Sequence, residues 1–195
     1  MTLEELEAMV ASASTPPVDT WHPERVGSMD MVIRRDGSWW HEGGQIKRHA
    51  MVRLFAGILR CEEDGRHCLV TPAEKLFITV EDAPFLAISM HVTTQATESQ
   101  SSDVTMPDAP NRAVLGFETN VGDTIIADAD HPLSVTVDND GNPTPYIHVR
   151  HGLLARLQRS VYYELANHCE EHNGVLGVWS QGVFHNLGGA GEDMS

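Results

Sequence analysis

The segment Arg48-His49-Ala50-Met51-Val52-Arg53-Leu54-Phe55-Ala56-Gly57-Ile58-Leu59-Arg60-Cys61-Glu62-Glu63 carries an apolar face at helical spacing. Met51, Val52, Phe55, Ile58 and Leu59 fall at i, i+1, i+4, i+7 and i+8, while Arg53 and Arg60 lie off that face. Glu62-Glu63-Asp64-Gly65 then stops the helix. A second segment repeats the frame. It is entered through Arg150-His151, carries Leu153, Leu154, Leu157, Val161 and Leu165 as its core stripe, and leaves through Cys169-Glu170-Glu171 before Asn173-Gly174. The spacing predicts two helices, the second about two turns longer, each followed by a glycine and a strand, and so a duplicated chain of two strand-helix-strand units. Two such units meeting face to face would leave a cleft between them, a favoured place for a small molecule.

Working outward, Leu86, Ile88, Met90 and Val92 alternate with Ala87, Ser89, His91 and Thr93, the period of a strand buried on one face. Met31 and Ile33 before Asp36-Gly37, with Trp39 after it, read as short strands around a tight turn. Cys68-Leu69-Val70, Phe77 to Val80, Leu133 to Val137 and Tyr146 to Val149 are further strands, 114–127 is a hairpin, and Val175 to Leu187 holds two last strands around Gln181-Gly182. The class is α+β with mostly antiparallel sheets. Its divisions are an N-terminal helix and Pro-rich linker over 1–20, a first half over 21–81, a second over 82–187 and a Gly-rich flexible tail over 188–195, with a polar, aperiodic loop at 94–112.

The chain has 195 residues with 13 basic against 28 acidic side chains, a formal net charge of −15. Nucleic acid and anionic membrane surfaces are therefore not expected partners, because both are gripped by Lys and Arg. No segment reaches the roughly 18 uninterrupted apolar residues of a spanning helix, and the N-terminus lacks the pattern of a secretion signal, so a cytoplasmic protein is expected. Cys61, Cys68 and Cys169 have no CxxC spacing and fit reduced thiols.

Several motifs suggest chemistry and fail on context. His168-Cys169-Glu170-Glu171-His172 matches HxxEH, but Asn173-Gly174 frays the helix where a second ligand needs rigidity, and no metal or other cofactor is expected. Gly177-Val178-Trp179-Ser180-Gln181-Gly182 is one residue too long for a nucleophile elbow, which makes Ser180 a turn residue. Asp138-Asn139-Asp140-Gly141-Asn142 is turn chemistry, since its glycine and the residue at calcium-loop position 12 are wrong for calcium. The basic residues say more because they are scarce: Arg48, Arg53, Lys75 and Arg150 surround helix starts and strand ends, where they can meet a phosphate or carboxylate.

Asp36-Gly37-Ser38-Trp39, Leu69-Val70-Thr71-Pro72-Ala73-Glu74-Lys75, Val80-Glu81-Asp82-Ala83-Pro84-Phe85, Thr119-Asn120-Val121-Gly122-Asp123, His131-Pro132-Leu133 and Gly177-Val178-Trp179-Ser180 together resemble the bacterial domain-of-unknown-function family 1285, across nearly everything from Pro17 to Leu187. The resemblance implies a two-part α+β fold with a duplicated core, a second half similar to pleckstrin-homology-like folds, a nucleotide-related ligand where the halves meet and a role in signal transduction. It implies no catalytic activity. The expectation is thus a binding module for a small anionic ligand. Arg48, Arg53, Lys75 and Arg150 would contact the anion, Asn120 and His131 would hydrogen-bond, and Trp179 would stack or wall the site. Two alternatives stand beside it: a protein-interaction domain that captures a partner by a sheet edge or the 94–112 loop, and a metal-dependent hydrolase using Asp128, Asp130 and His131.

Overall fold

The computed structural model describes residues 16–94, 113–138 and 140–188; the expected opening helix, nearly all of the 94–112 loop and the tail beyond residue 188 lie outside them. The described chain divides into two compact units: the first holds residues 16–86, 120–122 and 149–154, and the second holds the remainder. Sheet dominates, with two six-stranded sheets, a three-stranded sheet, two short α-helices and a single 3-10 turn at Val18–Thr20 among the described residues.

In the first unit, β1 (Arg25–Ile33), β2 (Trp39–His41) and β3 (Gly44–Gln45) precede helix α1 (His49–Gly57), and β4 (Leu59–Cys61), β5 (His67–Val70) and β6 (Glu74–Val80) follow it. The strand order is β3-β2-β1-β6-β5-β4. Its pairs are antiparallel except β1 with β6 at the centre, so the chain between those two strands, α1 included, is one long crossover. Met31, Ile33, Trp39, Leu59 and Val70, each no more than 1 % exposed, form its core, and Phe55 of α1 stacks on Trp39 at 6.5 Å between ring centroids. The first helix is shorter than its apolar spacing predicts. Gly57 is a poor helix residue, and beyond it Leu59 to Cys61 gain more by pairing with β5 than by a further turn, so Glu62-Glu63-Asp64-Gly65 closes a hairpin instead of capping a helix.

The second six-stranded sheet, most of whose residues belong to the second unit, is built on β7 (Phe85–Thr94), β8 (Ala113–Thr119), β9 (Thr124–Ile126), β10 (Leu133–Val137), β11 (Pro143–Arg150) and β12 (Leu153–Leu157), in the order β10-β11-β12-β7-β8-β9. Helix α2 (Arg159–Ala166) follows, then a sheet of β13 (Glu170–His172), β14 (Val175–Ser180) and β15 (Val183–Asn186). Leu115, Phe117, Ile147, Val161, Leu165 and Val178 are among the second unit's buried apolar residues.

The long second helix expected over 153–165 is here a strand followed by a two-turn helix. Leu153, Ala155 and Leu157 are buried and alternate with half-buried Leu154 and Arg156, a period of two that the leucine spacing conceals. His151 and Gly152, both at positive φ, form the two-residue turn that joins β11 to β12, so Arg150-His151 opens no helix. Asn173-Gly174 is likewise a hairpin turn with both residues at positive φ, and it pairs Glu170-Glu171-His172 with Val175-Leu176-Gly177. The HxxEH residues therefore do not share a helix. The matching Arg-His and Cys-Glu-Glu ends do not mark equivalent places either, although each unit does place one short helix between strands.

Candidate functional site

Helix α1 begins without the usual cover. Its N-cap is Arg48, which makes no side-chain capping bond, and its first turn holds no acidic residue, so the positive end of the helix dipole and its unpaired N–H groups are open. Lys47 and Arg48 stand at this end, and Arg53 follows one turn on. All three are exposed, and none forms an ion pair among the described residues. Elsewhere in this unit cations do find a carboxylate: Arg25 pairs with Glu74, Arg35 with Asp82, Arg60 and Lys75 with Glu62, and Arg66 with Asp64, so three neighbouring cations without one stand out in a chain with 28 acidic side chains.

The 120–122 segment, which belongs to the same unit, is pinned beside α1 by its first residue. Asn120 donates its backbone N–H to the Leu86 carbonyl at 2.9 Å, accepts the Leu86 N–H on Oδ1 at 3.0 Å and donates from Nδ2 to the Gly37 carbonyl at 3.3 Å. Its own carbonyl lies 3.0 Å from His49 Nε2, and since a carbonyl only accepts, His49 carries its hydrogen on that nitrogen. Two residues on, Gly122 sits at φ +90°, and a Cβ there would lie 3.5 Å from the guanidinium carbon of Arg53. That is an ordinary contact distance, so it is the positive φ that favours glycine here, with Arg53 lying beside it. At the other end of α1, Arg150 Nη2 donates to the Ala56 carbonyl at 2.9 Å and its guanidinium sits 5.2 Å from the Phe85 ring centroid, a favourable charge at the negative end of the dipole.

Of the seven residues expected at the site, Arg48, Arg53, Asn120 and Arg150 thus gather around α1. Asn120 and Arg150 act there as structural ties, which leaves Arg48 and Arg53, with Lys47, as the open cations. Lys75 is in the same unit but engaged elsewhere: its Nζ is 2.9 Å from Glu62 Oε2, while Arg60 holds Glu62 Oε1 at 2.7 Å and the Val18 and Trp21 carbonyls at 2.8 and 2.9 Å. Partial burial pushes the Glu62 carboxyl up, but hydrogen bonds from Lys75, then Arg60 and Cys68, outweigh it and hold the pKa down to about 2. Burial first, then the bond to Glu62, raises the Cys68 thiol to about 11, so this thiol is unreactive at neutral pH. The cleft of about 560 Å³ beside this triad is lined by Asp19, Glu62, Glu63 and Asp64 against His22, Arg60 and Lys75, and since both cations are already held by Glu62 it offers little to an anion.

His131 and Trp179 are placed in the second unit. His131 donates its backbone N–H to Asp128 Oδ1 at 2.8 Å, as Asp130 does at 2.9 Å, so Asp128 organises a turn. Trp179 packs with His172 and Phe184 at 5.0 and 5.2 Å. Among the described residues no group of three His, Cys, Asp or Glu side chains is placed to hold a metal ion. Ser180 is not the turn residue its surroundings suggest: it ends β14, is fully buried, accepts the Leu115 N–H at 3.0 Å and donates to the Ala127 carbonyl at 2.6 Å. The sequence reading missed Lys47 and His49, which the run Lys47-Arg48-His49 in so acidic a chain could have flagged, and Glu62, whose two cations come from separate strands and leave no local signal.

The family model "Domain of unknown function (DUF1285), N-terminal domain" matches residues 16–83, and "Protein of unknown function (DUF1285), C-terminal domain" matches residues 84–187. A crystal structure of a DUF1285 family protein from Silicibacter pomeroyi DSS-3 is 40% identical with a TM-score of 0.78, covering 93% of this chain and 93% of that one. Another, from Shewanella baltica OS155, is 25% identical with a TM-score of 0.50, covering 70% of this chain and 90% of that one. No curated protein matches. With both family domains matched end to end from residue 16 to residue 187, the chain belongs to the DUF1285 family.

Proposed function

We propose that this protein is a binding module for a small anionic, nucleotide-related ligand, held at the start of α1 by Lys47, Arg48 and Arg53 together with the open N–H groups of the helix. The observation that carries the reading is the absence of any carboxylate partner for these three cations among the described residues of a chain with a net charge of −15. A phosphate or carboxylate would supply the missing charge, with bidentate geometry available from either guanidinium. His49, fixed by Asn120, offers its second ring nitrogen at the same place. Nothing in the arrangement pairs a nucleophile with a base, and the module acts by binding, in signal transduction; the likeness of the second half to pleckstrin-homology-like folds belongs to the same reading.

The test is thermal melting of the full chain with nucleoside mono-, di- and triphosphates and cyclic nucleotides. A ligand at 100 times its Kd stabilises by about 2.7 kcal/mol, a rise in Tm of about 5 to 10 °C at this chain length. Arg48→Gln and Arg53→Gln, both at exposed positions, are expected to keep the unliganded Tm and to remove most of that rise. No rise with any member of the panel, or a rise that both variants retain, refutes the proposal.

A further inference from the structure

Strand β10 is the outer strand of its sheet, and its ladder fixes which of its main-chain groups are free. The His148 N–H donates to the Pro132 carbonyl at 3.0 Å, so the even-numbered residues of β10 turn their N–H and C=O groups toward β11 and the odd-numbered ones turn theirs outward. The odd residues Val135 and Val137 lie opposite Pro145 and Pro143, which have no N–H to offer. Leu133 is the first outward residue, and its N–H donates to His185 Nδ1 of β15 at 3.2 Å. The outward groups of Val135 and Val137 have no protein partner among the described residues.

Beside this edge runs a groove of about 320 Å³, lined by Leu133, Ser134 and Val135 on one side and Val183, Phe184 and His185 on the other. His185 is 2 % exposed. Because its Nδ1 accepts from Leu133, its hydrogen is on Nε2, and that N–H has no acceptor among the described residues. A buried donor without an acceptor is costly, and His185 is one of the residues that line the groove. Asp128, whose Oδ1 lies 3.7 Å from His131 Nδ1, also lines the groove, Asp138 follows the last residue of β10, and no Lys or Arg among the described residues lines it.

We propose that this groove takes an extended peptide bearing a Lys or Arg, which adds as a strand to β10 through Val135 and Val137, presents a backbone carbonyl to His185 Nε2 and sets its basic side chain against Asp128. Three features match this occupant and no apolar one: free main-chain groups in strand register, an orphaned imidazole donor, and acidic side chains at the ends of the edge. The site is in the second unit and is independent of the anion site at α1.

The experiment pans a displayed library of random dodecapeptides against the full chain, then measures binding of the enriched peptides by calorimetry and NMR. The expected result is enrichment of peptides containing Lys or Arg that shift the Val135 and Val137 amide and His185 ring resonances. They should bind at least tenfold more weakly to Val135→Pro, which removes one outward donor, and several-fold more weakly to Asp128→Asn, which preserves the turn-forming acceptor. Peptides N-methylated at alternate positions test the same bonds with the wild-type chain and should lose binding in one methylation register only. No enrichment, equal binding by both registers of methylated peptide, enriched peptides without basic residues, or an edge already closed by a second copy of the chain would each overturn the proposal.

Discussion

Replacing Asn120 by alanine is expected to destabilise the first unit by about 2 to 3 kcal/mol, although the residue is one that sequence reasoning assigns to the ligand. The side chain makes two hydrogen bonds to backbone, with the Leu86 N–H at 3.0 Å and the Gly37 carbonyl at 3.3 Å. Each is worth about 1 kcal/mol net, and the Leu86 N–H, in a residue only 6 % exposed, would be left without its acceptor, which adds about 1 kcal/mol or more. Asn120→Asp keeps an acceptor for Leu86 but has no donor for Gly37, and should lose about half as much. Thermal melting reads the difference as a fall in Tm of about 5 to 10 °C for the alanine variant, and hydrogen exchange at the Leu86 amide locates it. If Asn120→Ala melts within a degree or two of wild type, with the Leu86 amide as protected as before, the structural role given to this side chain is wrong.

Glu62→Gln should lower stability at neutral pH by about 2 kcal/mol, since Arg60 and Lys75 would keep their charges in a partly buried place without a counter-charge. Because the folded pKa of Glu62, about 2, lies below its ordinary value of 4.5, the wild-type contribution is complete above pH 4.5 and is lost as acid carries the pH down toward 2. Urea midpoints measured across that window should converge for wild type and variant. Ser180→Ala removes two bonds from a fully buried hydroxyl, to the Leu115 N–H and the Ala127 carbonyl, and should cost about 2 to 4 kcal/mol by urea denaturation; Ser180→Cys should not restore it. Gly177→Ala places a Cβ against the His185 carbonyl and the Phe184 ring, so a loss of about 2 to 3 kcal/mol is expected, with a change in the Trp179 emission that reports the loosened β14–β15 pair.

What the sequence discloses and conceals follows from the kind of signal each element carries. The strand expected from Leu86 to Thr93 is present as β7, and Gln181-Gly182 does join two strands, because short turns and extended runs are local signals; the alternation itself fails, with Ala87 buried, Ile88 and Val92 exposed and the ladder irregular between Ala87 and Ser89. Leu153, Leu157, Val161 and Leu165 satisfy a helical spacing of four equally well as strand positions followed by helix positions, and only the positive φ of His151 and Gly152 in the structure decides between them. The exit at Cys61 misleads for a related reason: pairing of β4 with a strand several residues away outweighs helix continuation past Gly57. At the site, scarcity of cations is legible from composition, but their engagement is not. Lys75 is neutralised by Glu62 only once β6 is brought beside the β4–β5 hairpin, whereas Lys47, Arg48 and Arg53 are left open because no acidic residue occurs in the first turn of α1.

The most direct test of the anion site is a titration of the full chain with inorganic pyrophosphate, followed through the amide resonances of His49 and Ala50 and the Nε–H resonances of Arg48 and Arg53. Saturable shifts at these four residues, abolished in Arg53→Gln and weakened by added salt, are the predicted result. Shifts that appear only elsewhere in the chain, or none at millimolar pyrophosphate, would contradict the claim that α1 begins in an anion site.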